Sequence, residues 1–594
     1  MVAVKINAFG GMTPATDSRL IPDHAATLSQ NCWLYSGELK GLVAPTLVKV
    51  LNSPATGKVF RIPTNFADTM HFNNATFMEF PDPNTDVIPS PIVGDTYSRY
   101  YWASSTGVPQ VNSLARILAG SAPYSLGLNQ PAAAVIASIT GGTGGTETRA
   151  YSTTFVSAFG EEGPPSTPPV STGYTNGTWN LTLSPPSAGD IAQYNYAYLN
   201  IYRTVTSGTA ASYFFVAQVA ISATTYADAA LDAVVSLNNI LPSTTYVAPP
   251  TNLQGIVALP NGMLAGFVGS SLYFCQPYLP HAWPAQYTLS VGYPIIGLGV
   301  TNQTLVVLTA GYPMVATGIN PASMTLSALT SLEPCMSRGS IISSPEGVYY
   351  ASPNGLILVA NGAASSITQG LMGKDDWNNY LQPSTLRASR LGDVSYYAFG
   401  SSRPGVFEPT AWEPTAVDLL DYSGAYNGAI IDPTNARIAF NALTSATPVV
   451  NVFNDPWSGE TMMITNGNLY RLDIANETAP RVPFNWVSKQ FQSLDRKNFA
   501  AVRVYFELPP WAPVGSTPAT RNTSLTQTLQ PTQFGIVSVY ANGTLVMARE
   551  LVTSGELMKI PSGFKADYWQ IGVTGNVNVM SVQMATSDKE LRTV

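Results

Sequence analysis

The scarcity of charged residues limits most strongly what this chain can fold into. Asp, Glu, Lys and Arg make up 11% of its 594 residues, where about 25% is usual in soluble domains. The exposed faces of long helices are normally rich in these residues. The chain also contains 48 Gly and 46 Pro, which favour turns and interrupt helices. We therefore predict an all-β fold with many turns.

The same composition excludes several classes of protein. Hydrophobic residues make up 45% of the chain and its formal net charge is −7, so it lacks the low hydrophobicity and high charge of a disordered protein. The 28 basic residues form no long run, which argues against tight binding of nucleic acid. We expect no signal peptide, because no apolar stretch follows Lys5. We expect no membrane insertion, because no segment approaches about 18 apolar residues.

Short apolar runs closed by Gly, Pro, Asn or Ser recur along the chain, and this pattern is typical of strands and turns. The predicted regions are an extended N-terminal arm at 1–30, the first part of a β-propeller at 31–130, an inserted β-sandwich at 131–248, the remainder of the propeller at 249–480 and a C-terminal β domain at 481–594. Two polar segments are predicted to be solvated, a loop at 509–533 and a tail at 586–592.

The inserted region differs from its surroundings. It contains a Gly- and Thr-rich segment at 141–146 that lacks the Gly-Lys-Ser/Thr of a phosphate-binding loop, so we predict a hinge. The strands that follow alternate apolar and polar residues over a length that suits a sandwich of about 100 residues. Residues 151–166 and 224–228 resemble parts of a fibronectin type III module.

A loose repeat of hairpins is predicted in the second half of the chain. Asn-Gly pairs at 261–262, 354–355 and 466–467 each lie between two apolar runs, and a further pair lies at 542–543. Asn-Gly tolerates the positive φ angles of a two-residue type I′ turn, so we predict such a turn at each pair. Repeated hairpins suit the blades of a β-propeller, although a row of ordinary sandwiches would give the same pattern.

The cysteines do not indicate a disulfide framework. Cys32, Cys275 and Cys335 are odd in number and far apart in the chain, and we interpret them as structural thiols.

Histidines are equally rare and are not clustered. His24, His71 and His281 are the three in the chain, and none lies near a cysteine or a nucleophile motif. Zinc sites need clustered His or Cys ligands. We therefore predict no catalytic residue, no metal site, no cofactor and no enzymatic activity.

Two pairs of adjacent acidic residues are candidates for catalytic carboxylates. They are Glu161-Glu162 and Asp375-Asp376. A glycosidase needs two carboxyl groups about 5–10 Å apart across a cleft, whereas both pairs fall in apparent loops. We interpret them as solvated turn residues, with the alternative that an Asp of the second pair caps a short helix.

The segment 276–284 combines three prolines with Tyr278, His281 and Trp283. A backbone held by proline and carrying flat apolar rings could bind a sugar ring or a partner chain. We favour a packed connection between two blades.

Several motifs resemble those of one protein family. Residues 253–284, which include Pro260-Asn261-Gly262 and Pro280-His281-Ala282-Trp283-Pro284, resemble the central segment of the tail nozzle proteins, also called tail tubular protein B, of short-tailed bacteriophages. Shorter similar pieces follow in the same order, and the N-terminal segment from 20 to 39 is similar to the opening of those proteins; the later pieces are 305–309, 318–324, 334–337 and 350–356.

The resemblance implies a structural virion protein with a β-propeller body. It implies a homohexameric ring in the tail, assembled in the host cytoplasm, that lies below the adaptor ring and portal and contacts tail fibres or tip proteins. Double-stranded DNA would pass through its channel without specific binding, and a wall poor in Lys and Arg is compatible with that role. Two alternatives remain open: a carbohydrate-binding adhesin or receptor-binding propeller, and a propeller hydrolase with a pair of carboxylates.

Overall fold

The computed structural model describes the chain in eleven segments: residues 3–63, 72, 75–205, 212–301, 304–392, 395–400, 426–431, 440–444, 448–508, 534–563 and 565–592. His71 and the loop predicted at 509–533 lie outside them. The described residues form 45 β-strands and five α-helices, of which the longest has eight residues. The prediction of an all-β chain is confirmed. No helix in these segments is long and apolar enough to cross a membrane.

The strands are numbered in chain order. The first seven are β1 (Ala3–Ile6), β2 (Ala26–Gln30), β3 (Cys32–Trp33), β4 (Lys40–Gly41), β5 (Thr46–Val50), β6 (Lys58–Ile62) and β7 (Thr76–Phe80). The next nineteen are β8 (Asp86–Pro89), β9 (Arg99–Ala103), β10 (Gln110–Ser113), β11 (Tyr124–Ser125), β12 (Val135–Thr140), β13 (Thr146–Ser157), β14 (Val170–Tyr174), β15 (Thr178–Thr182), β16 (Tyr196–Thr204), β17 (Tyr213–Ala220), β18 (Thr225–Asp228), β19 (Gln254–Ala258), β20 (Leu264–Val268), β21 (Ser271–Phe274), β22 (Leu289–Ser290), β23 (Ile295–Thr301), β24 (Thr304–Thr309), β25 (Met314–Thr317) and β26 (Thr325–Ala328). The last nineteen are β27 (Ile342–Ser343), β28 (Val348–Ser352), β29 (Gly355–Ala360), β30 (Ala363–Ser366), β31 (Arg387–Leu391), β32 (Ser395–Phe399), β33 (Tyr426–Ile431), β34 (Phe440–Thr444), β35 (Val449–Asn454), β36 (Thr461–Thr465), β37 (Asn468–Leu472), β38 (Phe484–Ser488), β39 (Phe491–Lys497), β40 (Ala501–Glu507), β41 (Gly535–Ala541), β42 (Thr544–Glu550), β43 (Leu557–Lys559), β44 (Ala566–Gly575) and β45 (Asn578–Ala585).

The helices are short. The α-helices are α1 (Leu114–Leu118), α2 (Ala188–Tyr194), α3 (Asp232–Val235), α4 (Lys374–Leu381) and α5 (Asp588–Leu591). Single 3₁₀ turns lie at Pro260–Gly262, Ala285–Tyr287, Pro321–Ser323, Arg338–Ser340 and Pro383–Thr385. The chain divides into two compact units, one of residues 84–332 and one of residues 1–83 with 333–594.

The unit of residues 84–332 contains three sheets of four consecutive antiparallel strands: β8–β11, β19–β22 and β23–β26. Between the first and second of these sheets in the chain, seven strands form two further sheets, β14-β13-β16-β17 and β12-β15-β18. Apolar side chains of both sheets share one core, which includes Phe155, Trp179 and Ile201. Residues 135–228 therefore form a β-sandwich.

The other unit has sheets of the same kind and one larger sheet. Strands β27–β30 pair in sequence order, and β35-β36-β37 is completed by β5 from near the N-terminus. The large sheet runs β31-β32-β33-β34-β2-β38-β44-β41-β42, with β39 also paired to β44. Among the described strands, β2 and β34 form the single parallel pair.

Two predicted regions differ from the structure. Residues 1–30 are not an arm, because β1 pairs with β45 and β2 pairs with β38. Phe9 is fully buried, with its ring 5.0 Å from that of Trp486. Residues 481–594 share this core with the N-terminal segment, so they do not form a separate domain. Pairing between distant strands uses backbone groups, which leave little trace in the side-chain pattern.

The conformation of the four Asn-Gly pairs depends on the residue that precedes each pair. After Thr465 and Ala541, the pairs 466–467 and 542–543 are two-residue turns in which both residues have positive φ, as predicted. The other two pairs follow a proline, and the prediction for them is wrong. Ser352 pairs with Gly355, so Pro353 and Asn354 form that turn. At 260–262 the loop has three residues, because Leu259 N–H donates to the carbonyl of Met263. The fixed φ of proline suits the first central position of a turn and moves the turn by one residue.

The C-terminal segment is not a solvated tail. Ser587 and Glu590 form the start of α5, where the Ser587 hydroxyl accepts a hydrogen bond from the Glu590 N–H at 3.3 Å. This is the Ser-x-x-Glu capping pattern. Leu591 is buried against Ala501 and Ala585, so the segment docks on β40 and β45.

Candidate functional site

Residues 84–332 contain a buried polar group that we name the His281 cluster: Asp95, Arg99, Glu161 and His281. Arg99 opens β9, a strand in which every residue is buried. Asp95 lies in the turn before that strand, and its carboxylate accepts hydrogen bonds from the Arg99 backbone N–H at 3.1 Å and from Arg99 Nε at 2.8 Å. Local geometry therefore places one carboxylate beside the guanidinium.

Glu161 comes from the turn that follows β13 in the sandwich. The Ser157 N–H donates to the Glu161 carbonyl at 2.9 Å, and the Glu161 N–H donates to Ser157 Oγ at 3.2 Å. Gly160 takes a φ of 80° in this tight turn, a conformation that glycine adopts readily. The turn aims the Glu161 carboxylate at Arg99 Nη1, 2.6 Å away. This ion pair joins the sandwich to the sheet β8–β11.

Glu162 belongs to a different hydrogen-bond network, inside the sandwich. Its Oε1 accepts hydrogen bonds from Thr154 Oγ1 at 2.5 Å, Tyr202 Oη at 2.7 Å and Asn200 Nδ2 at 3.3 Å. The interpretation of Glu161 and Glu162 as solvated turn residues is therefore wrong. Each residue is partly buried and accepts hydrogen bonds from groups that come close only in the folded chain.

His281 lies in the Pro-rich loop, which is closed by local hydrogen bonds. Gln276 N–H donates to the Ala282 carbonyl at 2.8 Å, and Trp283 Nε1 donates to the Pro280 carbonyl at 2.8 Å. Trp283 is 2% exposed and packs with Cys275 in a core shared with β9, β19 and β20. Tyr278, by contrast, is 49% exposed. The loop is a packed connection with one exposed ring.

The imidazole of His281 is almost fully enclosed. Its exposure is 4%, and neither ring nitrogen makes a hydrogen bond to the described residues. Nδ1 lies 3.7 Å from Glu161 Oε1, and the ring meets Tyr246 edge-on with centroids 6.0 Å apart. Burial lowers the pKa of His281, while the charge of Glu161 opposes this shift in part. The ring is therefore neutral at pH 7.

Aromatic packing surrounds the ion pairs. Phe159, two residues before Glu161, lies with its ring 4.8 Å from Tyr97 and 5.9 Å from Tyr124. Tyr97 Oη donates to the Ala158 carbonyl at 3.0 Å, and the Arg99 guanidinium carbon lies 5.3 Å from the Phe159 ring centroid. Aromatic rings thus pack beside the Arg99–Glu161 pair of the His281 cluster.

A second buried ionic group, the Arg203 cluster, lies inside the sandwich. Its members are Glu147, Arg149, Arg203, Asp228 and Asp232. Arg203 Nε lies 2.9 Å from Asp228 Oδ2, and Arg203 Nη1 donates to Asp232 Oδ1 at 2.5 Å. Arg149 donates to Glu147 and lies 3.5 Å from Asp228. Because Arg149 and Arg203 belong to one sheet and Asp228 to the other, the cluster ties the two sheets together.

The three cysteines and the second acidic pair show no feature of a reactive site. Cys32, Cys275 and Cys335 are free and buried, and burial raises the pKa of each to about 12. Such thiols remain protonated and unreactive. Asp375 and Asp376 lie in the first turn of α4, but its N-cap is Gly373 and not an Asp.

The remaining candidates take no part in these clusters. His24 lies half-buried in the turn before β2. The glycine-rich segment at 141–146 connects β12 to β13, and Gly141, Gly142 and Gly144 have positive φ. Within the described segments, no group of three or more His, Cys, Asp or Glu could hold a metal ion.

Sequence reasoning missed Asp95 and Arg99, although a signal was present. The segment 97–102 is aromatic, as is typical of a buried strand, and Arg99 is the single cation within it. A cation inside a buried strand needs carboxylates nearby. Asp95, four residues earlier, was the local candidate, whereas nothing in the sequence indicated Glu161.

Comparison with known proteins does not assign this chain to a family. No protein-family model matches it, and no curated protein does. Among solved structures, BBS1N in complex with ARL6DN is 11% identical and covers 66% of this chain and 91% of its own, with a TM-score of 0.25. AztD from Citrobacter koseri, in its apo form, is 10% identical over 63% of this chain and 79% of its own, with a TM-score of 0.24. Glutaminyl cyclase from Myxococcus xanthus is 12% identical over 37% of this chain and 88% of its own, with a TM-score of 0.20. Likenesses this weak carry no argument, and none of our proposals rests on them.

Proposed function

We propose that this chain is a structural subunit of a phage tail, a nozzle protein that assembles as a homohexameric ring below the adaptor and portal. The observation that carries the proposal is that residues of the motif at 253–284 form part of a hydrophobic core. Leu253, Leu264, Cys275 and Trp283 are buried together in one core. The residues that resemble those of the nozzle proteins therefore build a core, which supports the proposal that the resemblance extends to the fold.

The propeller is the architecture we propose for the body. Propeller blades are four-stranded antiparallel sheets, and β8–β11, β19–β22, β23–β26 and β27–β30 are sheets of this form with strands in sequence order. The pairing of β5 with β37 completes a further four-stranded sheet. That strands from 31–130 and 249–480 join one ring stays a prediction. For the inserted sandwich we propose a fibronectin type III-like module, on the basis of its seven strands in two sheets.

The structure weakens the two alternatives. A glycan-binding role for the Pro-rich loop is favoured by several exposed rings, but Tyr278 alone is exposed there, while Trp283 is buried and its N–H already donates to the Pro280 carbonyl. A hydrolase would need two carboxylates facing one cleft, whereas Glu161 is paired with Arg99 and Glu162 accepts from Tyr202. Both carboxylates of this first acidic pair therefore have structural partners.

The proposal extends to the channel and to the partners. A conduit for double-stranded DNA should be lined by neutral and acidic side chains, because contacts between Lys or Arg and phosphate would slow the passage of the genome. Adaptor, fibre or tip proteins would contact the ring at its ends. The chain itself would not insert into a membrane.

The test is assembly of the purified full-length chain. Negative-stain electron microscopy should show rings with a central hole, and light scattering should give six times the 63.2 kDa mass of one chain. At physiological salt, duplex DNA should show no nanomolar binding. A chain that stays monomeric at all concentrations and binds glycans on an array would instead support the adhesin.

A further inference from the structure

One long stretch of the chain is almost free of charge. From residue 204 to residue 332 the charged residues are Asp228 and Asp232. Both lie in the Arg203 cluster, with Asp228 fully buried. Surfaces of soluble proteins are normally about 25–35% charged residues. This stretch therefore presents an uncharged surface, and such surfaces are typical of the centres of protein interfaces.

The most apolar part of this surface is a ridge on the sandwich that we name the 231–240 ridge. Its exposed fractions are 52% for Leu231, 59% for Val234, 85% for Leu237 and 56% for Ile240. Val235, between them, points inward and is 1% exposed. Four large apolar side chains thus stand in solvent within ten residues, and exposed apolar patches can mark interaction sites.

The backbone of the ridge is fixed by hydrogen bonds to strand β17 and by an ion pair. Asn238 Nδ2 donates to the Phe215 carbonyl at 2.7 Å, and the Phe215 N–H donates to the Asn239 carbonyl at 2.9 Å. The N-terminal end is tied by the pair between Asp232 and Arg203. The backbone is therefore already ordered, so binding through the ridge would cost little conformational entropy.

The charge pattern favours one kind of binding partner for the ridge. No Lys or Arg occurs between Arg203 and Arg338, so this stretch offers no cation to a nucleic acid or an anionic membrane. An uncharged protein surface fits, because its burial leaves no charge without a partner. Another copy of this chain carries such a surface.

We infer that the 231–240 ridge is a contact surface for a second copy of this chain. The inference rests on the proposed ring and names the surface through which neighbouring subunits meet. The module inserted between the sheets β8–β11 and β19–β22 would then serve in assembly.

The first experiment compares charged substitutions in the full-length chain. Val234→Glu with Leu237→Glu should raise the concentration needed for half-assembly by about ten-fold or more, because it buries unpaired charge in the contact. Val93→Glu is the matched control, since Val93 is 97% exposed, belongs to the same unit and lies outside the uncharged stretch. It should leave assembly within about two-fold of wild type. All variants should keep the wild-type melting temperature.

The outcomes separate this inference from the proposed function. Normal rings formed by the Val234→Glu, Leu237→Glu variant would overturn the ridge contact and leave the nozzle proposal standing. Closed dimers of the wild type that this variant dissociates would support the ridge and overturn the ring. A wild type that stays monomeric would overturn both.

A second experiment measures the solvent accessibility of the ridge by cysteine labelling, and it does not require a variant that fails to assemble. Leu237→Cys should react with a maleimide in the dissociated chain and be protected about ten-fold in the assembly. Val93→Cys should react equally in both states. Background reaction is low, because the three native cysteines are buried. Equal labelling of Leu237→Cys in both states would overturn the inference.

Discussion

The Arg203 cluster and the His281 cluster are both buried ionic groups, but they differ in what they join. In the first, Arg149 and Arg203 meet Asp228 across the two sheets of one sandwich. In the second, Arg99 of the sheet β8–β11 meets Glu161 of the sandwich turn, and His281 comes from a third segment. One cluster holds a domain together, and the other fastens that domain to its neighbours within the unit of residues 84–332.

The two clusters also differ in the kind of group that is left without a hydrogen bond. Asp228 accepts hydrogen bonds from Tyr151 Oη at 2.7 Å and from the Ala230 N–H at 2.9 Å, besides its contact with Arg203. His281 has no hydrogen bond to the described residues at either nitrogen. In the Arg203 cluster, Arg149 Nη1 and Arg203 Nε also lack a hydrogen bond within the described segments, but they belong to guanidiniums that face Asp228. His281 is instead a ring that changes charge near neutral pH. The junction should therefore be the more sensitive of the two to pH.

The largest effect is expected from Arg203→Met. The variant removes the closer of the two guanidiniums that face Asp228 and leaves Arg149, 3.5 Å away. Breaking a buried pair in this way costs about 3–5 kcal/mol in free energy of unfolding. Hydrogen exchange of β13 and β16 in the full chain measures the loss. If exchange in these strands is unchanged, the cluster does not hold the sheets together.

A smaller effect is expected in the junction from Glu161→Gln. The variant keeps the shape of the side chain but removes the charge that faces Arg99, at a cost of about 1–3 kcal/mol. Exchange should increase in residues 157–162, with the strands of the sandwich unaffected. Glu162→Gln is the matched control, because Glu162 accepts from neutral donors, and it should cost about 1 kcal/mol or less. Equal effects of the two substitutions would contradict the distinction between the networks.

The pH dependence should come from His281. Its pKa in the folded chain lies below the ordinary 6.5, so below pH 6.5 the unfolded chain binds more protons and stability is lost as the pH falls. The melting temperature should decrease between pH 7.5 and pH 5.5. His281→Gln should reduce this decrease. A His281→Gln variant with the full wild-type decrease would show that the junction does not sense pH.

The smallest effect is expected at an exposed pair. Arg496 and Asp567 lie 3.0 Å apart with side chains 69% and 56% exposed. Solvent screens such a pair, so Arg496→Met should change the free energy of unfolding by about 0–1 kcal/mol. Urea denaturation measures this difference, and a loss as large as that of Arg203→Met would mean that burial does not explain the strength of the clusters.

The sequence was informative where the cause is local. Low charge with many Gly and Pro predicts the all-β class, and the residue before each Asn-Gly pair explains where its turn lies. At 466–467 and 542–543 the two-residue turns are as predicted. The other two Asn-Gly pairs follow Pro260 and Pro353. The effect of these prolines on the turns is local, but the prediction from the Asn-Gly pairs did not include it. Positive φ and fixed φ are properties of single residues and need no distant partner.

Only the tertiary structure decided which groups meet across the chain. Glu161 pairs with Arg99 from 62 residues away, and β1 and β5 complete sheets whose other strands lie in the second half of the chain. An acidic pair in a turn has the same sequence whether it faces water or a buried guanidinium. Backbone pairing between strands likewise leaves no mark in the side chains. The sequence by itself therefore determined the class of the fold and its local turns, while the ion pairs, the buried His281 and the placement of the N-terminal strands depend on contacts that exist only once the whole chain has folded.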